Sequence, residues 1–218
     1  MGKYEQIVID AGRRMSELSM TVSTWGNISA RDPETGNVYL TPSGMDYFAC
    51  TEDDILVFNS TGKRIKGRRK PSIEKDIHLF IMQRNPRVNA VIHTHAMYST
   101  IMAAAGLTLP VVTEEHAQTL GGPVPCSEYA IPGTPLLGEY VSSVIEAGYN
   151  AVFLPSHGAL VTGFDMERAF KASYVLEKAA EVYVKVRSMG LEPRVVPKED
   201  VDHMYRFFSN NYGQAKEK

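Results

Sequence analysis

Apolar residues recur at helical spacing at the start of the chain, at Tyr4, Ile7, Val8, Ala11, Met15 and Leu18. That pattern predicts a surface helix over residues 3–20 with one buried stripe. The period then changes. Asn27-Ile28-Ser29-Ala30 and Asn37-Val38-Tyr39-Leu40 read as short strands around an Asp32-Pro33-Glu34-Thr35-Gly36 turn, and Ile55-Leu56-Val57-Phe58 as a third strand before Asn59-Ser60-Thr61-Gly62. Pro71-Ser72 opens a helix running to about residue 85, with Ser72 as its N-cap and Glu74 and Asp76 in its first turn. Residues 88–93 form a strand, residues 98–105 a helix stopped by Gly106, and residues 136–147 a helix stopped by Gly148. Ala151-Val152-Phe153-Leu154 is a buried strand; residues 165–189 make a long helix before Gly190, and residues 199–210 a last one. Strands and helices interleave irregularly, which points to a layered α/β domain with a mixed or antiparallel sheet. The turn-rich stretch 121–135 is expected to pack over a site.

Composition narrows the class. The 218 residues suit one domain over residues 1–218, with 44 % hydrophobic and 22 % charged residues. That balance excludes a disordered chain, a collagen and a coiled coil. Lys+Arg number 23 against 25 Asp+Glu, so the net charge of −2 gives no pull toward nucleic acid or anionic membrane. Two cysteines, Cys50 and Cys126, make no disulfide framework. The N-terminus has no apolar signal core, and no apolar run approaches the roughly 20 residues of a membrane span. The expectation is a cytoplasmic protein.

The chemistry centres on histidine. His93 and His95 end the strand at 88–93, and side chains two apart on a strand share a face. His157 follows a second apolar strand, in Ser156-His157-Gly158. Three imidazoles from two strand ends would make an open metal site; incidental packing is the competing reading. His78, one helical turn after Glu74, reads as a packing residue or as support for neighbouring groups. His116, in the polar segment Glu114-Glu115-His116, is placed to line a pocket, and His203 reads as surface. Glu74 is a ligand, a general base, or simply a first-turn acid facing the helix dipole. Thr24-Trp25-Gly26-Asn27, Thr41-Pro42-Ser43-Gly44 and the helix start at Ser72 are turns whose backbone N–H groups suit an anion. The basic run Lys63-Arg64-Ile65-Lys66-Gly67-Arg68-Arg69-Lys70 is either a solvated hairpin tip or a funnel for an anionic substrate.

Together these segments resemble the class II aldolase/adducin family, on its L-fuculose-phosphate aldolase branch. The matching stretches, in the family's order, are Gly26-Asn27-Ile28-Ser29-Ala30-Arg31, Thr41-Pro42-Ser43-Gly44, Lys70-Pro71-Ser72-Ile73-Glu74 with His78, and His93-Thr94-His95. Val124-Pro125-Cys126, Tyr129-Ala130-Ile131-Pro132-Gly133-Thr134 and Ser156-His157-Gly158 complete the set. The resemblance implies a three-layer α/β/α fold and a homotetramer with active sites between subunits. It implies that His93, His95 and His157 hold a divalent metal, usually zinc, with manganese or cobalt as alternatives. Glu74 would be a fourth ligand that leaves when substrate binds and then acts as acid/base. Asn27, Ser43, Gly44 and Ser72 would cradle the phosphate of a small sugar. Tyr212, in Asn211-Tyr212-Gly213, matches the C-terminal tyrosine that donates a proton in a neighbouring subunit's site.

Three positions depart from the aldolase pattern. Ile73 stands where the family has a second serine, which removes one hydroxyl from the cradle. Glu114 and Pro132 replace a tyrosine and a phenylalanine near the aldehyde end. The related L-ribulose-5-phosphate 4-epimerases typically carry Asp at the place of Glu74 and an acid near Gln118. A sugar-acid phosphate decarboxylase, a methylthioribulose-phosphate dehydratase and a non-enzymatic adducin-like module are the other relatives. Such modules generally lack the three histidines and the glutamate that this chain keeps.

Overall fold

A computed structural model describes residues 2–211. Helix α1 (Lys3–Glu17) buries Val8, Ile9, Ala11 and Met15 along one stripe. β1 (Asn27–Arg31), β2 (Val38–Leu40), β3 (Leu56–Phe58) and β4 (Arg64–Lys66) follow as an antiparallel meander. Next come α2 (Lys75–Arg84), β5 (Ala90–Thr94), α3 (Met97–Ala105), α4 (Glu114–Leu120) and α5 (Pro135–Glu146). The hairpin β6 (Ala151–Leu154) and β7 (Gly158–Gly163) leads into α6 (Met166–Ser188) and α7 (Lys198–Asn211). The seven strands lie in the order β4-β3-β2-β1-β5-β7-β6, and every neighbouring pair is antiparallel.

Alternation along the strands sorts side chains into two layers of core. Leu40, Leu56, Val91, Leu160 and Val152 meet α2 and α5 through Ile77, Ile81, Val141 and Ile145. On the other face Ile28, Ala30, Ala90 and Ile92 meet α1 and Phe170 of α6. Phe153, Ala159 and Val161 there meet Met102 of α3 and Leu176 of α6. This is a three-layer α/β/α arrangement around one sheet. Each fully buried Leu, Ile or Phe contributes roughly 1.5–3 kcal/mol. That gain offsets a row of buried polar residues on the α2 face, provided each finds a partner.

Several elements differ from the sequence reading. α2 starts at Lys75, with Glu74 rather than Ser72 at the N-cap position. The Ser72 hydroxyl instead accepts the Glu74 N–H at 3.1 Å, in a turn that precedes the helix. The basic run forms the exposed edge strand β4. Lys66 reaches Glu5 and Arg69 reaches Asp54, both at 2.7 Å. In each pair the cation is half exposed and the carboxylate buried, and charges on an edge strand discourage pairing with another chain. Strand β7 and helix α4 also had no counterpart in the sequence reading. His116 is fully buried within α4 rather than lining a pocket, and donates from Nε2 to Gly122 O at 2.8 Å. Both cysteines are free. Among the described residues no helix is long and apolar enough to cross a membrane.

Arg31 fixes α2 against β1. Its guanidinium donates to the carbonyls of Met82 and Pro86, both at 2.6 Å, and so closes the far end of that helix. The near end is tied to Asn27, at the other end of the same strand.

Candidate metal and active site

β5 runs through the middle of the sheet, between β1 and β7. His93 stands opposite Asn27 on one side and Leu160 on the other. Its Nδ1–H donates to Ala159 O at 3.0 Å, which leaves the Nε2 lone pair facing out of the strand end. His95 lies just past the strand, its N–H bonded to Met20 O at 3.1 Å and its ring 5.5 Å from that of Trp25. Helix α3 begins immediately after it. The carboxylate of Glu177, on α6, accepts the N–H groups of Tyr98 and Ser99 and the Ser99 hydroxyl, each at 2.8 Å. Such a cap from a distant helix fixes the segment that carries His95.

His157 sits in the β6–β7 turn, where Ser156 adopts a φ of 56°. Gly158 follows, pressed against β5: a Cβ there would lie 2.3 Å from Thr94 O. These constraints bring the three rings together. His93 Nε2 is 3.0 Å from His95 Nε2 and 3.3 Å from His157 Nε2. All three ligand nitrogens lie within 4.8 Å of one another.

Glu74 faces this cluster from the start of α2. Its Oε2 is 3.5 Å from His93 Nε2 and its Oε1 is 3.3 Å from His157 Nε2. Asn27 Nδ2 donates to Oε2 at 2.9 Å, whereas Oε1 is buried and has no hydrogen-bond partner among the described residues. Burial alone would raise the Glu74 carboxyl; the facing rings of His93 and His157 and the Asn27 amide outweigh it and hold it below the usual carboxylate range. Burial also pushes His95 down to about 3 and His157 down to about 4, so both rings are neutral ligands near neutral pH. Three imidazoles and one ionised carboxylate with an unused oxygen form a donor set of the kind that binds zinc or a similar divalent ion. The residues present therefore fit a catalytic metal.

The turns expected to bind an anion are also brought close. Pro42 pairs with Pro71, and Ser43 N–H donates to Lys70 O at 2.9 Å, so the turn holding Ser43 and Gly44 lies beside the one holding Ser72. Ser72 Oγ accepts from Asn27 Nδ2 at 3.2 Å and from Glu74 N, leaving its own proton to point elsewhere. The Asn27 amide is engaged with Ser72, Glu74 and His78 together. Ile73 is 60 % exposed, beside Gly133. Glu114 lines a depression with Arg194, Asp200 and His203. His203 is exposed, and Tyr212 lies outside the described residues. A cleft of about 1600 Å³ opens at the opposite end of the sheet, lined by Arg87, Asn150, Phe164 and Tyr205; it holds none of these residues.

Sequence reasoning missed Ser29 and the packing of Trp25 on His95. The signal for Ser29 was its place two residues after Asn27 on the same strand, which puts both on one sheet face.

Residues 6–184 match the profile of the class II aldolase and adducin N-terminal domain. A 5-deoxy-D-ribulose 1-phosphate aldolase of Bacillus thuringiensis serovar kurstaki is 32 % identical over 214 residues, covering 97 % of this chain and 98 % of its own. An L-ribulose-5-phosphate 4-epimerase of Salmonella paratyphi B is 30 % identical over 223 residues, covering 98 % and 96 %. Among solved structures, an L-fuculose 1-phosphate aldolase superposes with a TM-score of 0.91 at 33 % identity, over 96 % of this chain and 97 % of that one. Fold, ordered motifs and relatives agree: the chain belongs to the class II aldolase and adducin family.

Proposed function

We propose that this chain is a divalent-metal-dependent aldolase that cleaves a small ketose 1-phosphate to dihydroxyacetone phosphate and a short aldehyde. The observation that carries this reading is Glu74: a buried carboxylate with Oε2 held by Asn27 and 3.5 Å from His93, and with Oε1 3.3 Å from His157 and without a hydrogen bond among the described residues. His93, His95 and His157 would hold the ion, zinc being the first choice for three nitrogens and a carboxylate. When bound, it would supply positive charge to the enediolate that bond cleavage leaves on the phosphate-bearing fragment.

The chain's own groups do the rest. Cleavage takes a proton from the hydroxyl on C4 of the sugar, breaks the C3–C4 bond and leaves its electron pair on the enediolate. Glu74 returns a proton to C3. Tyr212, contributed by a neighbouring subunit of a homotetramer, is assigned to the hydroxyl on C4. Ser43, Gly44 and Ser72 bind the phosphate, with Asn27 setting the Ser72 hydroxyl. Holding the phosphate fixes the reacting carbons, which is itself worth several kcal/mol of barrier. The enzyme would work in the cytoplasm, in sugar-phosphate metabolism.

Two relatives support the substrate class. Both the 5-deoxy-D-ribulose 1-phosphate aldolase and the L-fuculose 1-phosphate aldolase are named for deoxy ketose 1-phosphates. The similarity to L-ribulose-5-phosphate 4-epimerases favours a second reading, epimerisation at C4 of a ketose 5-phosphate. Glu74 and Gln118 argue for the first. The test is to incubate zinc-loaded protein with L-fuculose 1-phosphate, 5-deoxy-D-ribulose 1-phosphate and L-ribulose 5-phosphate. Dihydroxyacetone phosphate is followed by coupled reduction and epimer by chromatography. Release from at least one 1-phosphate, faster than any epimerisation, is expected. Epimerisation without release would replace the aldolase with the second reading.

A further inference from the structure

A chain of buried hydrogen bonds leads away from Glu74 into the α2 face of the sheet. Ser29 Oγ lies 2.7 Å from His78 Nδ1. His78 Nε2 meets Asn27 Oδ1, and Asn27 Nδ2 meets Glu74 Oε2. Ser29 is 0 % exposed, His78 1 % and Asn27 4 %, so no water competes for these bonds. Asn27 and Ser29 share a face of β1, and His78 descends onto them from α2, one turn after Glu74.

The direction of each bond follows from its neighbour. An ionised Glu74 accepts only, so Asn27 must turn Nδ2 toward it and Oδ1 away. Oδ1 also accepts only, so His78 must meet it with Nε2–H. Burial pushes His78 down to about 3, so the ring is neutral and Nδ1 carries a lone pair, to which the Ser29 hydroxyl donates. The logic also runs in reverse. Ser29 holds the His78 ring in place, His78 holds the Asn27 amide through Oδ1, and that amide ties Glu74 Oε2 while Oε1, 3.3 Å from His157, has no hydrogen bond among the described residues. The same Nδ2 also reaches Ser72 Oγ, so the phosphate turn is set by one amide as well.

We propose that Ser29 and His78 are positioning residues that aim Glu74 at the metal through Asn27. This rests on the metal-site reading above. Neither residue is hydrogen-bonded to the imidazole cluster among the described residues, so the bonded path from them to it runs through Asn27 and Glu74.

The test is Zn²⁺ affinity, measured near neutral pH by competition with a chromophoric chelator. Parent, His78→Leu, Glu74→Gln and the double variant are compared. Partners behind a ligand typically change metal affinity by about 10–100-fold. His78→Leu is therefore expected to weaken Zn²⁺ binding by about tenfold in the parent, and by less than about twofold in the Glu74→Gln background, since nothing is left to aim. His78→Gln keeps an N–H donor for Asn27 Oδ1 and is expected to recover most of the affinity. Ser29→Ala, which removes only a hydroxyl, should weaken binding in the same direction and carries the test if His78→Leu fails to fold. Equal weakening with and without the Glu74 carboxylate, or unchanged affinity in folded single variants, overturns the proposal. A parent protein that holds no Zn²⁺ overturns the metal-site reading itself, a result separate from either of these.

Discussion

Glu74→Gln is expected to lower the rate of carbon–carbon cleavage by about 10²–10⁴-fold, the usual weight of a positioned acid/base group. The substitution keeps the shape of the side chain, and its amide oxygen can still accept from Asn27 Nδ2. It removes the charge facing His93 and His157, the one carboxylate paired with the cluster among the described residues. Stability should change little. Burial already penalises the Glu74 charge, so its removal relieves that cost, and Oε1 has no hydrogen bond to lose among the described residues. The measurement is turnover at saturating zinc, alongside a thermal melt. A rate within tenfold of the parent, with the melt unchanged, would remove Glu74 from the chemistry.

Gly158→Ala is expected to damage fold and site together. Its Cβ would stand 2.3 Å from Thr94 O and 3.5 Å from His93 Cε1. The first contact is with backbone, which cannot rotate aside, so β5 and β7 must part at the point where His93 and His157 converge. Forcing extra volume into a packed interior costs about 1–3 kcal/mol. At this chain length each kcal/mol lowers the melting temperature by roughly 2–4 °C. Zn²⁺ affinity should fall as well, because two ligands hang on the strained pair. Gly122→Ala is the control: a Cβ there meets nothing within 4 Å, and surface changes of this kind usually stay within about 0.5 kcal/mol. Equal melts and equal metal affinity for the two variants would contradict the close approach of the strands.

The sequence was most informative where one element carries its own pattern. The stripe from Tyr4 to Leu18 marks α1, and the Gly106 stop marks the end of α3 at its left-handed cap, φ 64°. The apolar strand before His93 marks β5. What escaped lacks a local signal or is decided by distant partners. β4 is three exposed residues, two of them charged, and reads as a turn. β7 is bounded by glycines and borrows its pairing from β5 and β6. α4 is seven residues with a polar start; the Thr113 hydroxyl that accepts the His116 N–H was its one readable cue. The late start of α2 follows from Ser72, whose hydroxyl is taken up by Asn27 and by Glu74 N–H in a turn before the helix.

The site divides in the same way. The histidine cluster was legible because a His-x-His pair on a strand converges by geometry, and because Ser156-His157-Gly158 follows a second buried strand. The relay from Ser29 to Glu74 was not. Its bonds span 47 to 51 positions in sequence, and only the packing of α2 on β1 brings the partners together. Ile73, Glu114 and Pro132 mark the places where this chain departs from the aldolase branch; Ile73 stands between Ser72 and Glu74, while Glu114 lines a depression with Arg194, Asp200 and His203.

The central claim is that carbon–carbon cleavage here depends on a metal held by His93, His95 and His157. The most direct test follows dihydroxyacetone phosphate released from L-fuculose 1-phosphate and from 5-deoxy-D-ribulose 1-phosphate, before chelation, after it, and after zinc is returned. The account predicts one metal ion per chain, release that disappears on chelation, and recovery when zinc is restored. Release that continues at full rate from metal-free protein would contradict it.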